Sequence, residues 1–222
     1  MRAPDAEGNG ERAGTRAGSG ASNRTVQDLF NTAPIVVKQP KRFLIDQSEY
    51  YCYDRSGNHL AHVYEVGLDG GMQALRIFAG NTAGFQRKLM VNDAWRRPRL
   101  YIEKSWALFT ATTTIAHPDG RPIGYIEQDF KFFKAGFRLL DPWKRHIGTI
   151  SGNFFGFDFQ VSDAHEHEVA RVNRQMPDIG ELFTAADSYV LWPRYPNLPE
   201  PLKTLVVASG ITIDLVLMEG KR

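Results

Sequence analysis

Two kinds of chemistry can be read from residue types and spacing in this sequence. The first is phosphate recognition by cations. Basic residues gather at Lys38/Lys41/Arg42, Arg87/Lys88, Arg96/Arg97/Arg99, Lys131/Lys134 and Lys144/Arg145. Phosphate takes forked Arg donors and Lys point charges together. Arg96-Arg97-Pro98-Arg99 is the densest patch. Lys131-Phe132-Phe133-Lys134 places aromatics between two cations, a pairing suited to a lipid headgroup layer. The second is metal ligation. Of the histidines His59, His62, His117, His146, His165 and His167, only His165-Glu166-His167-Glu168 forms a cluster. It lacks a third ligand nearby in sequence and reads as a hairpin turn. The single cysteine, Cys52, excludes a disulfide scaffold and a multi-cysteine zinc site. It lies between Tyr51 and Tyr53 in an apparent strand and is expected to be a core or half-buried thiol. A phosphate-binding loop, a dinucleotide fingerprint, a nucleophile elbow and a zincin helix are all missing from the sequence, so no catalytic residue is assigned and no enzyme is expected.

The elements that must position these residues are mostly strands. Short β-branched and aromatic runs alternate with turn residues from Glu49 onward. Turns are expected at Asp54–Asn58, His117–Gly120, Asp141–Lys144 and Ser162–Glu166. After each turn comes a β-branched residue or leucine and then a small residue: Leu60-Ala61, Ile123-Gly124, Ile147-Gly148 and Val169-Ala170. With Ala74–Phe78, Gln86–Val91 and Arg99–Glu103 added, about twelve strands fit between Glu49 and Trp192, the pattern of a sandwich or barrel.

The C-terminal end differs. Leu202 to Met218 is apolar around every face of a helix, so it must be buried in protein or lipid. It would span about 25 Å, short of a hydrocarbon core of roughly 30 Å. Asp214 would also cost about 2.5–3.5 kcal/mol near the centre of a membrane helix. Burial inside the protein is therefore expected, with the prolines just ahead marking the helix start. The Val/Ile/Thr content and Ser209-Gly210 would also suit two strands and a turn. A buried Asp214 needs a partner, expected from barrel backbone or an arginine.

Composition sets the outer bounds. The 222 residues carry 27 Lys+Arg and 25 Asp+Glu, a net charge of +2, which excludes a polycation built for nucleic acid. Residues 1–24 are Gly-, Ala- and Arg-rich and are read as a disordered tail without the apolar stretch of an export signal. The lone thiol and that tail point to a cytoplasmic protein. Residues 25–48 form a lead-in, and 49–222 one barrel domain with a core helix at about 200–218.

Three blocks resemble the phospholipid scramblase family. They are Pro118 to Asp141 (PDGRPIGYIEQDFKFFKAGFRLLD), His146 to Val161 (HIGTISGNFFGFDFQV), and Val169 to Glu219, which contains ARVNRQ, ELFTAADSY and ITIDLVLME. The sequence is also similar to the plant LURP-one-related proteins and, more distantly, to Tubby. The resemblance implies a mainly β fold: a closed, Tubby-like antiparallel barrel of about twelve strands around a hydrophobic C-terminal helix. It implies a core built on Leu205, Val206, Ile211, Ile213 and Leu217, with Asp214 matching an acid of the family's helix. It further implies phospholipid scrambling or anionic-lipid binding at a membrane surface, with the protein peripheral on the plasma membrane. The candidate lipid contacts are Arg96, Arg97, Arg99, Lys131 and Lys134. The family's acidic calcium loop is degenerate here: Asp187 stands at the second acid, but Ala185 replaces the first. Calcium is thus doubtful at Asp187, and no other cofactor is expected. The alternative is a soluble interaction or ligand-binding barrel without lipid activity.

Overall fold

The computed structural model describes residues 28–40, 48–67, 86–105, 111–129, 135–153, 156–174 and 188–217. Within them lie twelve strands: β1 (Ile35–Lys38), β2 (Glu49–Tyr53), β3 (His59–Glu65), β4 (Arg87–Asp93), β5 (Pro98–Lys104), β6 (Thr112–Ala116), β7 (Pro122–Asp129), β8 (Ala135–Leu140), β9 (His146–Asn153), β10 (Asp158–Asp163), β11 (Glu168–Asn173) and β12 (Ser188–Pro193). Each pairs antiparallel with its neighbours in sequence, and β1 pairs with β12 to close the barrel. Closure removes the free edges that an open sheet of this size would expose. The expected barrel is therefore observed. Its first strand comes from the segment read as a lead-in. Ile35, Val36 and Val37 are all buried, so β1 lacks the alternation that marked the other strands. The run Ala74–Phe78, counted as a strand from sequence, lies outside the described residues, as does the tail 1–24.

Helix α1 (Leu202–Leu217) runs through the barrel. Leu205, Val206, Ile211 and Ile213 are buried in one cluster with strand residues such as Leu89, Ile102, Ile126 and Phe159. Leu217 ends the helix, and its side chain lies outside the described part. A helix suits this interior better than two strands would. A closed barrel offers no free edge to pair with, whereas a helix satisfies its own backbone groups. Proline does sit at the entry: α1 begins one residue after Pro201, and Glu200 Oε2 accepts the backbone N–H of Thr204 at 3.2 Å. No helix among the described residues is long and apolar enough to cross a membrane.

The other end of α1 is tied to the wall. The Tyr50 hydroxyl donates to Asp214 Oδ2 at 2.9 Å, and Lys104 Nζ donates to the Leu215 carbonyl at 3.1 Å. A cation at the last turn also complements the helix dipole. Asp214 is thus inside as expected, and the partner shown is the Tyr50 hydroxyl, where barrel backbone or an arginine was expected. Arg87, grouped with Lys88 as a surface patch from sequence, instead points inward. It donates to Glu65 at 3.0 Å, and both side chains are 1% exposed. Strand alternation sends the neighbours to opposite faces, and Lys88 lies outside near Glu103 at 3.8 Å.

The residue pairs noted after each turn have a common structural cause. Registers shift by one residue at Cys52/Tyr53, Ile115/Ala116, Leu139/Leu140 and Val161/Ser162. The extra residues in the opposing strands are Leu60, Ile123, Ile147 and Val169. Each is a β-bulge, and the residue after it is buried where strands crowd. At Gly124 an added Cβ would sit 2.5 Å from the Leu140 carbonyl oxygen and 3.0 Å from Leu205 Cδ1 on α1. Gly124→Ala is therefore expected to cost about 1–3 kcal/mol by overpacking. Chemical denaturation checks this, and an unchanged midpoint would contradict the close fit of wall to helix.

Candidate functional site

At one end of the barrel five hairpins close by the same five-residue device, at 54–58, 93–97, 117–121, 141–145 and 163–167. In each, the first residue's N–H donates to the fifth residue's carbonyl, and the fourth residue's N–H donates back to the first. The fourth position has positive φ: Gly57 (82°), Arg96 (63°), Gly120 (87°), Lys144 (65°) and Glu166 (67°). This is a type I turn followed by a left-handed residue, and it generates the bulge. An aspartate at the first position locks four of the five turns. Asp93 Oδ1 accepts the N–H groups of Trp95 and Arg97 at 3.0 Å each, and its Oδ2 accepts Arg97 Nε at 2.8 Å. Asp141 repeats the pattern with Trp143 (2.9 Å), Arg145 N–H (2.9 Å) and Arg145 Nε (2.6 Å). Asp54 and Asp163 do the same with Asn58 and His167. In the third turn the lock is Asp119, two residues from Arg121.

The Asp93–Arg97 turn was hidden in the sequence. Its residues read there as a basic cluster, and its bulge residue is Arg99 followed by Leu100, departing from the aliphatic-then-small pattern. Its structural equivalence to Asp141–Arg145 places Trp95 and Trp143 at matching positions, two turns apart around the rim. Both are exposed, at 51% and 74%. Arg97 Cζ lies 4.6 Å from the Trp95 ring centroid, and Arg145 Cζ lies 5.0 Å from that of Trp143. Tyr195, 56% exposed, follows β12 at the same end. These three are the large apolar side chains that stand out on the described surface. The recurrence Asp-x-Trp-basic-Arg was the signal that could have found the two tryptophans.

Charge is sorted by depth in these two turns. The carboxylates of Asp93 and Asp141 are buried beneath the chain, while Arg96, Arg97, Lys144 and Arg145 are exposed around the indoles. One acid against two bases leaves each tryptophan turn at +1. Lys144 Nζ also reaches Glu127 at 2.9 Å and lies 3.3 Å from the Tyr125 ring centroid. Arg99 sits one step back, 3.6 Å from both Asp93 and Asp28 and over the Phe30 ring. Of the candidate contacts, Arg96 and Arg97 thus face outward beside Trp95, while Arg99 braces the turn. Lys131 and Lys134 lie outside the described residues. The strand ends flanking them, Asp129 and Ala135, are at the opposite end of the barrel.

Burial by itself would raise the carboxyls of Asp93 and Asp141. Hydrogen bonds from Arg97 and Arg145, and from the tryptophan N–H groups, outweigh it and hold both below the ordinary value of 3.8. Asp163 is lowered in the same way by His167 and His165 against the effect of burial. A depressed folded value stabilises fully above the unfolded value and is lost as pH falls through the folded one. Thermal stability is therefore expected to hold down to about pH 4 and to fall steeply below it. Asp93→Asn with Asp141→Asn should flatten that decline. A midpoint independent of pH between about 6 and about 2 would contradict the lock.

The other sequence candidates are placed as follows. Cys52 is buried, and burial pushes its thiol up to about 12. His165 and His167 sit on the fifth turn, and no group of three residues that could hold a metal occurs among the described residues. Asp187 lies outside the described residues.

Three comparisons bear on identity. A family model described as Scramblase matches residues 47–220. No curated protein matches the chain. An X-ray structure of a protein from Arabidopsis thaliana is similar to it at 15% identity and a TM-score of 0.49, over 89% of this chain and 99% of that one.

Proposed function

The chain belongs to the scramblase family, and from that premise we propose that it binds anionic phospholipid at a membrane surface through the hairpin rim. One observation carries the reading: two structurally equivalent turns on one barrel end each present an exposed tryptophan ringed by outward cations. Amphipathic aromatic rings favour the headgroup layer, where an apolar body and a polar edge are both satisfied. Basic residues near an anionic surface add about 1 kcal/mol each. The rim is preorganised, because buried aspartates fix its backbone before any lipid arrives. The proposed role is binding, with lipid movement between leaflets as the family's wider activity and no catalytic step. Asp187 as a calcium ligand belongs to that wider activity and is a separate proposal.

Co-sedimentation with vesicles tests the reading. The protein is expected to pellet with phosphatidylserine-containing vesicles and to remain free with phosphatidylcholine alone. Binding should weaken with salt, as screening shortens the reach of the cations. Binding that appears only with calcium would transfer the role from the rim to the Asp187 segment. No binding under any of these conditions would favour the alternative, an interaction barrel without lipid activity.

A further inference from the structure

Beside the rim, a cavity of about 360 Å³ opens between the 3-10 turn Leu29–Asn31 and the segment linking β12 to α1. Phe30, Leu198, Val206 and Val207 give it an apolar wall, and Asn31, Thr32, Arg194 and Lys203 a polar one of similar extent. Its walls include Lys203 and Tyr195, and Tyr195 is also the exposed aromatic of the rim. Lys203 Nζ donates to Asn31 Oδ1 at 2.7 Å, a neutral acceptor. No carboxylate pairs with it among the described residues. The nearby acids are engaged elsewhere. Glu168 accepts both Nε and Nη2 of Arg194, at 3.0 and 2.7 Å, and Glu200 accepts a helix N–H. The cavity thus sets an apolar wall beside a cation, Lys203, that no carboxylate neutralises among the described residues.

We propose that this cavity holds one acyl chain of an anionic phospholipid, with the phosphate at Lys203 and the chain over Val206 and Val207. The volume supports a single chain: at about 360 Å³ it sits at the small end of ligand cavities. The charge supports an anionic head, and the opening beside Tyr195 supports entry from the surface on which the rim is proposed to rest. The site is a discrete one, distinct from surface attraction at Trp95 and Trp143; only the route of entry rests on the rim reading, and the binding itself does not.

Decyl phosphate below its micelle concentration is the probe, with decylphosphocholine and inorganic phosphate beside it, in titration calorimetry on the full chain. Saturable one-to-one binding of decyl phosphate is expected, at least about tenfold tighter than decylphosphocholine, with inorganic phosphate silent; a tenfold change corresponds to about 1.4 kcal/mol. Leu198→Trp, which fills the cavity from the loop, and Lys203→Glu should each weaken it at least about tenfold. Both variants must retain the wild-type thermal transition, and Val207→Trp serves as a second filling variant from the helix side. Trp95→Ala with Trp143→Ala should leave decyl phosphate binding unchanged. That separates this site from the rim, because loss of vesicle binding with probe binding intact would contradict neither. Absence of saturable binding would overturn the proposal. So would equal binding by a folded filling variant, or equal binding of inorganic phosphate.

Discussion

Ile211→Asp is expected to leave the chain without a cooperative thermal transition. Ile211 is 4% exposed and sits midway along α1, inside a closed wall of strands. An aspartate there would lose the isoleucine's packing, about 2–5 kcal/mol for large-to-small core changes. It would also bury a carboxylate with no partner designed for it, at a further several kcal/mol. Together these approach or exceed the 5–15 kcal/mol by which a domain of this kind is stable. Asp214 shows what a buried carboxyl group requires: a hydroxyl from Tyr50 at 2.9 Å, within a wall that also supplies Lys104 to the adjacent carbonyl of Leu215. Ile211→Val, which keeps the shape, should shift the midpoint only slightly, by about 0.5–1.5 kcal/mol. Circular dichroism melts of both variants check the pair. An Ile211→Asp protein that melts like the wild type would place Ile211 outside the core.

Trp95→Ala combined with Trp143→Ala is expected to reduce vesicle binding by at least about a hundredfold. If each indole removes about 100 Å² of apolar surface from water, the gain is about 2–3 kcal/mol per ring at ~25 cal/mol/Å². Four outward cations at about 1 kcal/mol each give a comparable gross term. Asp93, Asp141 and the Glu127 carboxylate beside Lys144 offset part of that term, and salt screens more of it. The rings therefore dominate affinity at physiological salt, and the cations dominate its salt dependence. Arg96→Ala with Lys144→Ala should cost less and should flatten the salt response. Neither pair should disturb folding, because the indoles are exposed and the turns are held by backbone and aspartate hydrogen bonds. Unchanged vesicle binding in the tryptophan pair, measured by co-sedimentation, would contradict the assignment.

Much of the barrel could be read from local sequence because its information is local. Each hairpin carries its own turn residues, and the aliphatic-then-small pair marks four of the bulges, so four of the five rim turns were visible. The fifth was concealed because Arg99-Leu100 stands where the others have an aliphatic and a small residue. Its arginines also drew attention to charge and away from turn geometry. Strand β1 was missed because its first three residues are all buried and show no alternation. The Asp214 partner could not be read at all, since Tyr50 lies 164 positions away. Arg87 was misplaced for a related reason: two adjacent cations look like one patch until the strand sends them to opposite faces. The rim itself required the register. Trp95 and Trp143 become equivalent only once both turns are seen to close on the same end.

The central claim is that this end meets the membrane, and a fluorescent reporter tests it directly. Cys52 is buried with its thiol pushed up to about 12, so it will not compete for a thiol-reactive dye. Ala94→Cys, exposed in the Trp95 turn, and Ser151→Cys, exposed on β9 toward the opposite end, give two unique labelling positions. With phosphatidylserine-containing vesicles, a polarity-sensitive dye at position 94 should shift to the blue and brighten, while the same dye at 151 should be unchanged. Vesicle-bound protein whose dye responds at 151 and not at 94 would contradict the account.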